Sequence, residues 1–115
     1  MQRRHRLRRS ADFELLRRSG QQFRHPLAIL IVRVNGDQIS RFGFLASKRV
    51  GNATERNRVK RRLREVVRPR IKMIQPGWDI LIIARYAMTK AEFTEVDDAV
   101  SQLLRRADLL QALVS

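Results

Sequence analysis

Apolar positions along the chain form three runs of strand length. Residues 27–34 and 41–47 are rich in aliphatic, β-branched and aromatic side chains. Residues 79–85 are apolar at almost every position, which is typical of a strand buried on both faces of a sheet. Asn35-Gly36, which follows the first run, is the typical turn of a two-residue β-hairpin. We therefore expect the first two strands to be paired neighbours.

Two helices are predicted toward the ends of the chain. Residues 10–18 begin with Ser10 as the expected N-cap, and Gly20 lies just past their end. Near the C-terminus, Thr89 and Glu92 have the spacing of a capping box that opens the last helix. The apolar side chains of this helix recur at helical spacing: Val96, Ala99, Val100, Leu103, Leu104, Ala107 and Leu110.

The longest helix is predicted over residues 52–68, between a capping box of Asn52 and Glu55 and the helix-breaking Pro69. On a helical wheel, one arc is apolar and would face the sheet: Val59, Leu63, Val66 and Val67. The remaining surface of the helix is basic. The arc opposite the apolar one contains Asn57, Lys60, Arg61, Arg64 and Arg68. Arg56 lies at one border of this arc, and Arg58 and Arg62 lie at the other. Because like charges on one helix repel each other, this face predicts an anionic partner.

These elements follow the order α-β-β-α-β-α, which predicts an α+β fold, an α-β sandwich with helices packed on a small sheet. A chain of 115 residues with 43% apolar side chains can form one domain with its own core. We expect a single domain over residues 1–115, with residues 1–9 as a basic and flexible N-terminal segment. The general rule predicts a right-handed crossover if strands 41–47 and 79–85 are parallel neighbours.

Charge is the strongest feature of the composition. The chain has 25 Lys and Arg against 11 Asp and Glu, a net charge of +14 and an isoelectric point near 11.8. Such an excess repels itself and favours a polyanionic partner, for which nucleic acid is the natural candidate. An anionic membrane would require an exposed apolar helix face, and no run approaches the roughly 20 apolar residues of a membrane span. The absence of cysteine excludes disulfides, thiolate zinc sites and cysteine nucleophiles, and it agrees with a cytoplasmic protein.

The segment between the second strand and the basic helix predicts an anion-binding turn. Ser47, Lys48 and Arg49 come just before Asn52, so that a hydroxyl, two cations and the free N–H groups of the helix N-terminus would point to one place. A turn with incidental charges is the alternative.

No nuclease site can be assembled from the side chains of this sequence. The two histidines, His5 and His25, lie in basic, surface-like sequence, and a two-metal site would require convergent carboxylates. The one acid-rich stretch lies at the start of the last helix. We therefore expect neither catalytic residues nor a metal site on the protein.

The turn and the basic helix together resemble a known family. One continuous run is similar to the signature of the protein subunit of bacterial ribonuclease P: Ser47-Lys48-Arg49-Val50-Gly51-Asn52-Ala53-Thr54-Glu55-Arg56-Asn57-Arg58-Val59-Lys60-Arg61. Residues 6–13, 42–46 and 80–85 match further features of the family in the same order. The resemblance covers residues 3 to 110, nearly the whole chain.

This resemblance implies a fold, an RNA partner and an activity. The fold would be the class of ribosomal protein S5 domain 2, whose strand-helix-strand crossover is left-handed. The protein would bind the catalytic RNA of ribonuclease P through Lys48, Arg49, Asn52, Arg56, Asn57, Arg58, Lys60, Arg61, Arg64 and Arg68. It would hold the 5′ leader of precursor tRNA in a cleft between the first helix and the sheet, at Phe13, Arg17 and Ser47. Magnesium-dependent cleavage to the mature tRNA 5′ end would take place on the RNA, which holds the Mg²⁺.

The sequence departs from the family pattern at the leader cleft. Arg17 replaces an aromatic residue one helical turn after Phe13, and the first long strand is aliphatic near Ile31. For Phe13, base stacking and core packing remain alternatives. A structural RNA-binding protein of the ribosomal kind is the alternative function, and the sequence has no helix-turn-helix or zinc spacing that would favour specific DNA binding.

Overall fold

A computed structural model describes residues 3–110. Its helices are α1 (Ser10–Ser19), α2 (Ala53–Val67) and α3 (Phe93–Arg106), and its strands are β1 (Gln21–Arg24), β2 (Ala28–Val34), β3 (Arg41–Ala46) and β4 (Trp78–Ala84). The predicted α+β class and the six predicted elements are confirmed, and β1 is an additional short strand. The first two residues of the predicted N-terminal segment lie outside the described residues.

The four strands form one sheet in the order β1-β2-β4-β3. β4 lies between β2 and β3, antiparallel to the first and parallel to the second. The predicted pairing of β2 with β3 at Asn35-Gly36 is therefore wrong. The reason is burial: β4 is the most continuously apolar strand, and in the interior of the sheet both of its edges are paired while helices cover both of its faces. The Asn35 backbone instead donates a 2.9 Å hydrogen bond to the carbonyl of Gly77, in the turn that leads into β4.

The hairpin of this sheet is formed by β1 and β2. Gln21 pairs with Val32 and Arg24 with Ile29. His25 closes the turn through two backbone hydrogen bonds with Ala28, of 2.9 and 3.2 Å. β1 is polar and mostly exposed at the edge of the sheet, so that it lacks the apolar alternation by which strands are found in a sequence.

Helices cover both faces of the sheet. Ile80, Ile82 and Ala84 of β4 belong to the larger core, which also contains the buried side chains of α2 and α3. Leu81 points to the opposite face and packs with Leu16 of α1 in a smaller core. β3, α2 and β4 thus form the predicted crossover between parallel strands, with α2 seated on the sheet.

The ends of α2 follow the sequence signals closely. Asn52 is the N-cap, and its side-chain oxygen accepts a 2.9 Å hydrogen bond from the Glu55 backbone. The carboxylate of Glu55 binds Arg58 at 2.9 Å. At the other end, α2 stops at Val67 and the chain tightens into a 3-10 segment, Arg68–Met73, because proline cannot continue an α-helix.

The predicted starts of the other two helices are shifted. Ser10 is the first helical residue rather than the N-cap, and its side chain makes no capping hydrogen bond. The capping box predicted at Thr89 and Glu92 is formed three residues later by Glu92 and Glu95, and α3 starts at Phe93. Thr89 instead belongs to a separate 3-10 turn, Tyr86–Lys90.

Candidate RNA-binding surface

The apolar arc of α2 fixes the orientation of its basic face. Val59, Leu63, Val66 and Val67 are each at most 1% exposed, as the helical wheel predicts. Full burial of a Val or Leu side chain is typically worth about 1.5–3 kcal/mol, so that the four together hold the helix firmly on the sheet. The cations on the other arc therefore form a surface whose orientation is set before any partner binds.

Four of the predicted RNA-binding residues are exposed on the outer side of α2: Asn57, Arg61, Arg64 and Arg68. Lys60 beside them is half-buried. Arg68 forms an exposed ion pair of 3.1 Å with Glu65, and pairs of this kind contribute little to stability. Arg61 and Arg64 form no side-chain hydrogen bond or ion pair within residues 3–110. They can therefore contact a phosphate without giving up another interaction.

Arg56 differs from the exposed arginines of this helix. Its side chain is half-buried, and its Nε is buried without a hydrogen-bond partner among the described residues. Buried N–H groups are nearly always paired in folded proteins. The unsatisfied donor favours any rearrangement in which a phosphate oxygen reaches this guanidinium.

Arg58 and Arg62 lie on the side of α2 that faces the connection between β4 and α3. The Arg58 guanidinium donates hydrogen bonds of 2.8 Å to the carbonyl of Thr89 and 2.9 Å to the carboxylate of Glu55. Arg62 donates a 2.7 Å hydrogen bond to the carbonyl of Ala91. These two arginines are therefore engaged inside the protein.

The turn before α2 is a short hydrogen-bonded loop that joins the end of β3 to the helix N-terminus. The Val50 amide donates to the carbonyl of Ser47 at 3.0 Å, and Val50 is buried. Gly51 has φ of 153°, a conformation that L side chains rarely adopt. Lys48 and Arg49 are exposed on this turn, directly before the helix N-terminus.

The same turn forms one wall of an open cavity of about 390 Å³. Ser47 and Arg49 line it from the turn, and Arg24, Arg85 and Tyr86 line it from β1 and the end of β4. Sequence reasoning missed Arg24, Arg85 and Tyr86 as site residues. One signal was available for Arg85, since the ends of parallel β3 and β4 lie at the same edge of the sheet. Three arginines around one cavity make it strongly attractive to phosphate.

Within residues 3–110, the three predicted leader-cleft residues line three different depressions. Phe13 lines a small cavity of about 90 Å³ with Arg6 and Arg64, while Ser47 lines the larger one. Arg17 is exposed on α1 and lines a third depression, beside Glu14 and Arg18.

The ring of Phe13 packs directly over Gly43 of β3. A Cβ atom added to Gly43 would come within 2.5 Å of Phe13 Cε1 and 3.2 Å of Leu7 Cδ1. Phe13 and Leu7 both belong to the smaller core, and the Leu7 amide donates to the carbonyl of Phe42 at 2.8 Å. Core packing is thus one role of Phe13, and Leu7 anchors the N-terminal segment to the edge of the sheet.

The histidines and carboxylates of residues 3–110 lie apart from one another. Among residues 3–110, no group of three or more His, Asp or Glu side chains is placed to hold a metal ion. Both histidines are half-buried rather than free in solvent, with His5 Nδ1 3.1 Å from the Ser40 carbonyl and His25 Nδ1 accepting from the Leu27 amide at 3.0 Å.

Across the described part of the chain, every helix is too short or too polar to span a membrane.

A basic helix face fixed on a mixed α-β core defines this chain as an RNA-binding α+β protein. The family model described as Ribonuclease P matches residues 1–108. The chain belongs to the ribonuclease P protein family, as its resemblance predicts. Proteins of this family are the protein component of a ribonucleoprotein endoribonuclease that matures the 5′ end of tRNA, which implies an RNA partner for this chain.

Individual relatives are similar over nearly their full lengths. The ribonuclease P protein component of Roseiflexus castenholzii is 40% identical over 116 residues, which cover 100% of this chain and 95% of the relative. That of Clostridioides difficile is 35% identical, over 90% of this chain and 91% of the relative. Among solved structures, the RNase P protein of Staphylococcus aureus superposes with a TM-score of 0.85 at 25% identity, covering 93% of this chain and 98% of that protein. The Thermotoga maritima protein gives 0.80 at 32% identity, covering 88% and 96%.

Proposed function

We propose that this chain binds the catalytic RNA of ribonuclease P and the 5′ leader of precursor tRNA, and that it thereby promotes endonucleolytic 5′-end maturation in the cytoplasm. The observation that carries the proposal is the outward orientation of the α2 cations, fixed by four buried apolar side chains in a chain of this family. A helix that is already packed on its core presents cations to phosphates without a further cost of ordering its backbone.

The catalytic RNA is the proposed partner of the outer face of α2 and of the turn before it. Arg61 and Arg64 are exposed and have no competing interaction within residues 3–110, and Arg56 has an unsatisfied donor. Lys48 and Arg49 extend the same charge to the helix N-terminus, where free backbone N–H groups also attract anions. Asn52 caps the helix, and its contribution is to fix this N-terminus in place.

The leader is the proposed occupant of the cavity between the turn and the end of β4. Arg24, Arg49 and Arg85 supply charge there, and Tyr86 supplies an aromatic ring that is 55% exposed. Stacking of an aromatic side chain on a base is typically worth about 1–3 kcal/mol in single-stranded RNA binding. In this chain, leader binding thus combines charge from the cavity with one exposed ring, while Phe13 is mainly a packing residue.

Magnesium belongs to the RNA in this proposal. Among residues 3–110, no group of three or more His, Asp or Glu side chains is placed to hold a metal ion, and the proposal therefore assigns the metal to the RNA. The contribution of the chain is to bind, orient and neutralise RNA, and no step of the cleavage is assigned to its side chains.

A cleavage assay tests the proposed function. Precursor tRNA is incubated in low Mg²⁺ with the protein alone, with a bacterial ribonuclease P RNA alone, and with both. We expect cleavage at the mature 5′ end only when the RNA is present, and faster cleavage when the protein is added. The double variant R61A/R64A should lose most of this stimulation, whereas R105A, which removes an exposed cation of α3, should keep it. A protein that binds RNA but never stimulates cleavage would instead be a structural RNA-binding protein, and one that cleaves alone would be a nuclease.

A further inference from the structure

Two arginines of α2 hold the segment that connects β4 to α3. Arg58 binds the carbonyl of Thr89 at 2.8 Å, and Arg62 binds the carbonyl of Ala91 at 2.7 Å. Both acceptors are backbone atoms about thirty residues further along the chain. Glu55, one turn before Arg58, accepts a second hydrogen bond from the same Nη2 atom at 2.9 Å.

These interactions make Arg58 a poor phosphate ligand in comparison with its neighbours. Only 33% of its side chain is exposed, and its Nη2 is already shared between two acceptors. Hydrogen bonds that involve a charged group are stronger than neutral ones. Moving this guanidinium to a phosphate would therefore break two such bonds and offset much of the gain from the new contact. Arg61 is exposed and has nothing comparable to lose within the described residues.

The segment that Arg58 holds is part of the proposed leader site. It begins with Arg85 and Tyr86, which line the cavity of about 390 Å³ opposite Ser47 and Arg49. Ser47 and Arg49 precede α2 directly, so one wall of the cavity is continuous with α2 and the other is joined to it through Arg58 and Arg62.

We infer that Arg58 is a positioning residue: with Arg62, it holds the Tyr86–Lys90 turn against α2 and thereby sets the width of the cavity that receives RNA. The two arginines of the Arg56-Asn57-Arg58 triplet then have different roles. Arg56 has an unsatisfied hydrogen-bond donor, whereas the guanidinium of Arg58 is already hydrogen-bonded within the protein. That the cavity receives RNA rests on the proposed function. The contacts of Arg58 and Arg62 with the segment after β4, which we call the clamp, do not rest on it.

Hydrogen exchange without RNA tests the clamp directly. In the Tyr86–Lys90 turn and just after it, the amides of Met88 and Ala91 donate to the carbonyls of Arg85 and Met88 and are suitable reporters. We expect R58A to speed their exchange roughly tenfold, the effect of losing about one hydrogen bond. The variant R58K keeps an N–H donor of nearly the same reach and should stay closer to the wild type than R58A. R61A, on the same helix but exposed, is the matched control and should not change these amides. Unchanged exchange in R58A would overturn the inference.

Salt dependence of binding to a bacterial ribonuclease P RNA separates positioning from phosphate contact. R61A should lower the slope of log affinity against log salt by about one, the effect of one lost phosphate contact. R58A should leave the slope as in the wild type, and a slope reduced by about one in R58A would overturn the inference whatever the exchange shows. If R58A does not fold, R62A carries the same two comparisons. An unchanged slope in R61A would contradict the proposed RNA-binding face and leave the exchange result on the clamp intact.

Discussion

The guanidinium of Arg41 on β3 forms two hydrogen bonds with the carboxylate of Asp79 on β4, of 2.9 and 2.7 Å. Asp79 is buried, and the side-chain amide of Asn35 donates a third hydrogen bond to it at 3.0 Å. On the other side, Arg41 lies 3.7 Å from the carboxylate of Asp12 on α1. The hydrogen bond to Asp79 is the main reason that the pKa of Arg41 is raised above its usual value. Arg41 therefore links the centre of the sheet to the helix that carries Phe13.

Loss of Arg41 should destabilise the protein far more than loss of its outer partner. Removing one member of a buried pair leaves an uncompensated charge, so R41M is expected to lower the free energy of unfolding by roughly 3 kcal/mol. D12A breaks only the longer and more exposed pair and should cost less than about 1 kcal/mol. Urea unfolding of both variants measures the difference. The double variant R41M/D79L should be more stable than R41M alone, and equal or lower stability would show that the pair does not act as a unit.

The pair of Arg70 and Asp97 predicts one component of the acid sensitivity. The hydrogen bond from Arg70, 2.7 Å long, lowers the pKa of Asp97 below its ordinary value of 3.8, and the charge of Arg70 acts in the same direction. Because the folded-state pKa is below the unfolded one, the stabilisation is complete above the unfolded value and is lost as the pH falls through the folded value. D97N should therefore be less stable than the wild type at pH 7, and the gap should close in acid.

Chemical unfolding at a series of pH values measures this gap. D98N, next to Asp97 in sequence but exposed, is the matched control. The effect should be modest, because 40% of the Asp97 side chain is exposed and solvent screens the pair. A gap between wild type and D97N that stays constant down to about pH 2, well below the ordinary pKa of an aspartate, would contradict the assignment.

The features of the fold that depend on local sequence could be predicted, and those that depend on distant partners could not. The buried face of α2 follows from the spacing of Val59 and Leu63, and its start follows from Asn52. The neighbours of β2 do not follow from its sequence, because the turn signal at Asn35 is local whereas β4 comes more than forty residues later. A burial argument could have placed the most apolar strand at the centre of the sheet.

The residues of the candidate site show the same difference between local and distant determinants. The exposed positions of Arg61 and Arg64 follow from helical periodicity alone. The engagement of Arg58 depends on the carbonyl of Thr89, which lies 31 positions away and contributes no side-chain pattern. The place of Arg85 opposite Ser47 depends on the parallel pairing of β3 with β4. The sequence identified the basic surface, and tertiary contacts decide which of its arginines are free to bind.

Substitution of Gly43 should disturb the packing of α1 on the sheet. The added methyl group of G43A would lie 2.5 Å from the Phe13 ring, so that either the ring or the helix has to move. Overpacking of this kind typically costs about 1–3 kcal/mol. Thermal or urea unfolding measures the loss, and F13L in the same background should recover part of it by making space. If F13L lowers the stability by the same amount in the G43A background as in the wild type, the contact between residues 13 and 43 is not the cause of the loss in G43A.

Removal of the exposed cations of α2 should lower the affinity for ribonuclease P RNA in proportion to their number. Each phosphate contact adds about 0.9 to the slope of log affinity against log salt for a duplex and about 0.7 for a single strand. The triple variant R61A/R64A/R68A should therefore reduce the slope by about two to three, with little loss of stability, because all three side chains are exposed. Filter binding between about 50 and 200 mM salt covers the range in which such a change is large. R105A removes one exposed cation at the end of α3 and should leave the slope nearly unchanged. If both variants reduce it equally per charge removed, the RNA responds to the net charge of +14 rather than to a surface on α2.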